Sequence, residues 1–155
     1  MSTREIKFRC WHKERNKMLG VFDINFRTPA TVQILTDEYK HFDELLSCVE
    51  LMQFTGLKDR NGVDIYEGDI LTQHSEFNET TYLDGGRHKS ESFEFYYIGV
   101  VSITASKGAV MNRVKVKDLI VCDTEWKKHP HSIKVSGCRS QVIGNIHQHP
   151  HLLGE

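Results

Sequence analysis

The feature that most constrains this chain is a two-residue hydrophobic period that starts and stops repeatedly along its length. Ile6, Phe8 and Cys10 alternate with Lys7, Arg9 and Trp11, which is the pattern of a strand with one face in a core. The polar run from His12 to Lys17 turns the chain, and Met18-Leu19-Gly20-Val21 reads as the returning arm of a hairpin. Phe22, Ile24 and Phe26 continue the alternation up to Thr28-Pro29, and Val32 with Ile34 offers another short strand. Only once does the period change. Tyr39, Phe42, Leu45, Leu46 and Val49 recur at spacings of three and four, which predicts a short helix over 38–48.

Strand signals return from Glu50. Leu51–Thr55 leads into Asn61-Gly62, a strong turn dipeptide. At Gly68-Asp69 a residue tolerant of positive φ precedes one able to bond nearby amides, which predicts a tight turn into a strand from Ile70. Residues 72–91 are polar and contain Asp84-Gly85-Gly86, reading as an extended hairpin or a mobile loop between core strands. Beyond it come Phe93/Phe95/Tyr97, Ile98–Ile103, Val114/Val116, Ile120-Val121, Ile133/Val135 and Val142–Ile146. Strands this short and this closely spaced suit a small β barrel or sandwich rather than βαβ units. No internal repeat is legible. The expected organisation is a hairpin-and-helix segment over 1–48, then a β-barrel domain over 49–155 with the loop near 72–91 inserted.

Charge is segregated although it nearly cancels. Residues 1–36 carry +4, residues 37–94 carry −9 and residues 95–146 carry +5, within a net −1. Such blocks suit complementarity within or between subunits, or a basic face for a polyanion. No apolar run reaches membrane-spanning length and the first residues lack a signal-peptide core, so a cytoplasmic protein without membrane partners is expected. The four cysteines stand singly, which fits reduced thiols.

Two stretches are distinctive. Leu51–Ile70, reading LMQFTGLKDRNGVDIYEGDI, and Val142-Ile143-Gly144-Asn145-Ile146 with Pro150–Leu153 strongly resemble the YopX family of phage and prophage proteins. The opening Arg4–Trp11 and Lys17-Met18 match the start of that family, so the resemblance spans the chain. It implies a small, mainly β protein with an SH3-like barrel, encoded by a phage or integrated element, with no catalytic residues to carry over. The sequence departs from the family pattern in His147-Gln148-His149-Pro150-His151 and in His12.

Candidate sites are few. His147 and His149, two apart in extended backbone, could turn imidazoles toward one metal ion, with Cys122, His129, His131, Cys138 and His151 nearby in sequence. The spacing is not that of a zinc finger, and exposed tail histidines with no metal and no cofactor are the expectation. Arg113, Lys115 and Lys117 alternate and would line one strand face; with Lys127 and Lys128 beside Trp126, and Lys107, Lys134 and Arg139, they form the candidate nucleic-acid surface. Glu67 and Asp69 are paired acids, but Asp69 is better explained by turn bonding, and no nucleophile elbow, zinc-protease or phosphate-loop pattern occurs. The sequence therefore points to a non-enzymatic accessory or interaction module that self-associates, with a phage or host protein as possible partner. A nucleic-acid-binding small barrel is the alternative, and a metal-dependent enzyme the weakest reading.

Overall fold

The computed structural model describes residues 5–35, 41–82, 84–117 and 131–154. The chain is mainly β, and every strand pairing in it is antiparallel. One sheet holds β1 (Phe8–His12), β2 (Lys17–Asn25), β3 (Thr31–Leu35), β4 (His41–Leu45), β5 (Val49–Lys58) and β6 (Asp64–Tyr66), in the order β4-β3-β2-β1-β5-β6. The other holds β7 (Asp69–Tyr82), β8 (His88–Thr104), β9 (Gly108–Lys117), β10 (Ser132–Lys134) and β11 (Ser140–Asn145), in the order β10-β9-β8-β7-β11.

Apart from β6, the two orders are the same order. In each, four strands run as a meander, a single 3-10 turn follows (Leu46–Cys48 or Gly137–Arg139), and a fifth strand returns beside the first. The ladder registers make the match residue by residue. Cys10 pairs with Leu19 and Leu51, as Leu71 pairs with Gly99 and Val142. Val21 pairs with Ile34 and Ile34 with Phe42; Val101 pairs with Met111 and Met111 with Ile133. Cys10, Ile34 and Phe42 belong to one apolar cluster, and Leu71, Met111 and Ile133 to another. A repeat absent from the sequence is therefore present in the topology, because the matched positions share apolar character and little else.

The expected helix over 38–48 is overturned in its described part. His41–Leu45 is a strand in which Phe42 and Glu44 turn inward opposite Ile34 and Val32, and only Leu46–Cys48 coils. An isolated helix of two or three turns is marginal, whereas β4 completes a ladder beside two fully buried residues. Neither sheet closes into a barrel among the described residues, since their outermost strands are not hydrogen-bonded to one another. Each is nonetheless curled, because three residues join β4 to β5 and five join β10 to β11 across the width of a sheet.

The units meet through β5 and β6. Leu57 and Ile65 pack into the cluster of Leu71, Val101 and Met111, so the end of the first sheet covers one face of the second. Between them Asp59 acts as a hub: Oδ1 accepts the Asn61 and Val63 amides, and Oδ2 accepts the Val142 amide on β11. Burial acts upward on this carboxyl, but the three amide donors outweigh it and hold the pKa below the usual range. The opposite face of the second sheet, Ile70 and Val100, is covered by the C-terminal 3-10 turn Pro150–Leu153, with Leu153 buried. The turn at Gly68 forms as expected, with φ 78. Its amide donates to the Val101 carbonyl and its carbonyl accepts the Ile146 amide.

Candidate interaction surface

The polar stretch 72–91 is not a loose loop but the distal part of a long hairpin. β7 and β8 stay in register from Ile70↔Val100 to Tyr82↔His88, and Gly85 and Gly86, both at positive φ, lie in the turn. β11 accompanies β7 as far as Gln73, and the described part of β9 accompanies β8 as far as Tyr96. Residues 74–82 and 88–94 pair with each other. They form an arm of about 27 Å at the usual rise per residue.

His74 lies against Tyr96, ring centroids 5.3 Å apart, with Nε2 3.6 Å from a Glu94 carboxylate oxygen. Glu76 stands directly opposite Glu94, a like-charge pairing that weakens a ladder. The Lys89 ammonium pairs with Glu91 two residues along the same strand at 2.5 Å, which raises the Lys89 pKa. Near the tip Tyr82 is 83% exposed.

At the start of β7, away from the arm, β1 faces the β5–β6 junction through stacked cations and rings. The Lys7 ammonium sits 4.3 Å from the Phe54 ring centre and pairs with Asp64, and the Arg9 guanidinium lies 4.6 Å from the Tyr66 ring centre and pairs with Asp69. Trp11 and His147 stack 5.3 Å apart and nearly parallel. Burial pushes the Asp69 carboxyl upward against the pull of Arg9 and the Tyr66 amide. It pushes His147 downward against the carboxylate of Glu50, whose oxygen is 3.5 Å from Nε2. These groups tie β1 to the β5–β6 junction and to the turn after β11.

The family model described as YopX protein matches residues 7–154. The chain belongs to the YopX family. Among solved structures it is similar to the crystal structure of protein EF1440 from Enterococcus faecalis, with 24% identity and a TM-score of 0.50. The similarity covers 97% of this chain and 99% of that one, which speaks for a shared fold. No curated protein matches it.

In this YopX family member the basic residues singled out from the sequence do not form one strand face. Arg113 sits at a bulge in β9, at φ 52, where Ile98↔Lys115 gives way to Val100↔Asn112. The bulge shifts the alternation so that Met111 and Val114 both reach the core. Lys115 donates to the Leu153 carbonyl and fastens the C-terminal turn. Lys117 ends β9 opposite Tyr96, and Lys127 and Lys128 lie outside the described residues.

The histidines also diverge. Residues 146–148 form a turn rather than extended backbone, so His147 goes to Trp11 while His149 Nδ1 accepts the Asn145 amide at 3.4 Å. Among the described residues no three His, Cys, Asp or Glu side chains converge in a way that could hold a metal ion. Glu67 accepts the Ile103 amide and Asp69 the Tyr66 amide. No helix among the described residues is long and apolar enough to cross a membrane. The length of the β7–β8 ladder, out to Tyr82↔His88, exceeded the sequence reading, although the alternation from His88 to Tyr97 contained the signal.

Proposed function

We propose that this YopX family member is a non-enzymatic interaction module of phage or integrated-element origin, acting in the cytoplasm, that self-associates through the β7–β8 arm. The observation that carries this reading is the arm itself: β7 and β8 stay paired out to Tyr82↔His88, and the described side chains of residues 76–82 and 88–94 are exposed. A hairpin that buries so little persists for what it meets rather than for what it stabilises. The engagement of Glu67 and Asp69 in backbone bonds supports a non-catalytic reading of both acids. Each five-strand unit we read as an open SH3-like barrel, since a meander, a 3-10 turn and a returning fifth strand recur in both.

The test is light scattering coupled to size exclusion on the full chain and on a variant in which residues 76–94 are replaced by a two-residue Asn-Gly turn. Association of the full chain and a folded monomeric variant are expected; a monomeric full chain would refute the reading. Nucleic-acid binding is the competing reading, and it has less support because Lys115 spends its ammonium on the Leu153 carbonyl. Steeply salt-dependent retardation of DNA or RNA would restore it.

A further inference from the structure

We propose that a pocket at the start of β9 binds a phosphate group, carried by a small phosphomonoester or as inorganic phosphate. The proposal goes beyond the interaction-module reading and stands independently of the arm. The pocket measures about 370 Å³ and is lined by Ser106, Lys107, Val110, Ser132, Ile133 and Lys134. That volume falls in the range of small-molecule sites. Lys107 and Lys134 are thus two of the basic residues singled out from the sequence that the fold does bring together.

The ladder explains how. Lys134 stands opposite Val110, and Ser132 opposite Asn112, so Lys134, Ser132 and Val110 project from one face of the β9–β10 pair. Ile133 and Met111, paired between them, project from the other face into the cluster with Leu71. Val110 is buried and forms an apolar floor. Lys107 comes from the β8–β9 turn, whose shape Thr104 fixes: Oγ1 accepts the Lys107 amide at 3.2 Å and donates to the Gly108 carbonyl at 3.3 Å. β10 is held as firmly. The Val135 amide donates to the Ala109 carbonyl at 3.1 Å, and Gln73 Nε2 donates to the Lys134 carbonyl at 3.3 Å. The two cations therefore extend from backbone that is already positioned.

Charge selects the ligand. Among the described residues neither ammonium has an ion-pair partner, and none of the lining residues is acidic. Two ammonium groups match a phosphomonoester, which carries about −1.5 to −2 near neutral pH. The Ser106 and Ser132 hydroxyls add donors for its oxygens. No arginine lines the pocket, so the planar fork that suits a carboxylate is missing, whereas lysine binds phosphate as a point charge. An organic group on the phosphate would find Val110 as its apolar contact.

The experiment titrates the isotope-labelled full chain with inorganic phosphate at constant ionic strength and follows the backbone amide resonances. Saturable shifts are expected at Lys107, Gly108, Ser132 and Lys134, with the first sheet unmoved. Lys107→Gln and Lys134→Gln should each weaken binding by about tenfold. Both side chains are exposed, so resonances elsewhere should remain those of the folded wild type. Ribose 5-phosphate separates the two sources: tighter binding than inorganic phosphate assigns the site to a phosphomonoester, and equal or weaker binding assigns it to the ion. Shifts that chloride alone reproduces, equal binding of unphosphorylated ribose, or affinity untouched by both substitutions would overturn the proposal.

Discussion

His12 and Gln73 occupy the same place in the two units. Each pairs with the first residue of its fifth strand, Val49 or Ser140, and each reaches across the curl of its sheet to the fourth strand. His12 Nε2 lies 3.2 Å from a Glu44 oxygen, and Gln73 Nε2 donates to the Lys134 carbonyl at 3.3 Å. His12 Nδ1 also accepts the Arg15 amide, and Gln73 Oε1 accepts from the Ser136 amide and the Ser140 hydroxyl. One polar side chain thus holds each open seam together where a closed barrel would use a ladder.

Replacing Gln73 by Leu should accordingly destabilise the fold by about 2–4 kcal/mol, because it leaves the Ser136 amide and the Ser140 hydroxyl without their acceptor. His12→Leu should cost less, about 1–2 kcal/mol, since Glu44 keeps access to water. Urea unfolding monitored by tryptophan fluorescence measures both; equal losses would contradict the assignment.

Asp64 bonds Lys58 and Lys7, and these hydrogen bonds hold its pKa below the ordinary carboxylate value. A carboxyl whose folded pKa is depressed stabilises the protein above its unfolded pKa of about 3.9 and loses that contribution as pH falls through the lower folded value. The stability difference between wild type and Asp64→Asn should therefore be constant near neutral pH and shrink below about pH 4. A difference that grows on acidification would reverse the sign and refute the pairing.

Cys10 is wholly buried, and burial raises its thiol pKa to about 11, whereas Cys138 is exposed. Because the thiolate is the reactive form, a maleimide should label Cys138 of the native protein rapidly and Cys10 only at the rate of unfolding. Peptide mapping by mass spectrometry after timed quenching distinguishes the two; early label on Cys10 would show the first core to be open.

Leu153 packs over Ile70 and Val100, and Lys115 fastens its carbonyl. Leu153→Ala should cost about 2–4 kcal/mol. Lys115→Met, which keeps much of the aliphatic stem, should cost less than that while speeding amide exchange of residues 151–154. Unchanged exchange in Lys115→Met would show that the turn holds without its fastener.

Much of the strand content was legible because alternation is local: Phe8, Cys10 and Trp11 declare their faces within four residues. The helix expectation failed on Phe42, Leu45 and Leu46, whose spacing combines a strand with the 3-10 turn that ends it. The repeat was hidden because Cys10 corresponds to Leu71, Ile34 to Met111 and Phe42 to Ile133, pairs that share apolar character and burial but neither size nor identity. Arg9 and Asp69, sixty positions apart, could be joined only once both sheets were in place. The hairpin was readable from residues 72–97; how far β11 runs beside it was not, because that depends on the register Ser140↔Gln73.

Between the paired residues His12 and Lys17 the first unit has a turn of four residues, while between their counterparts Gln73 and Tyr97 the second has twenty-three. One architecture thus tolerates both a minimal link and a long projection at a single position. Its two ends are already pinned by the adjoining ladder, so added chain there has no core to disturb. Foreign sequence spliced between His12 and Lys17 would leave the first unit through the same gateway, giving this chain a second display position that owes nothing to its native arm.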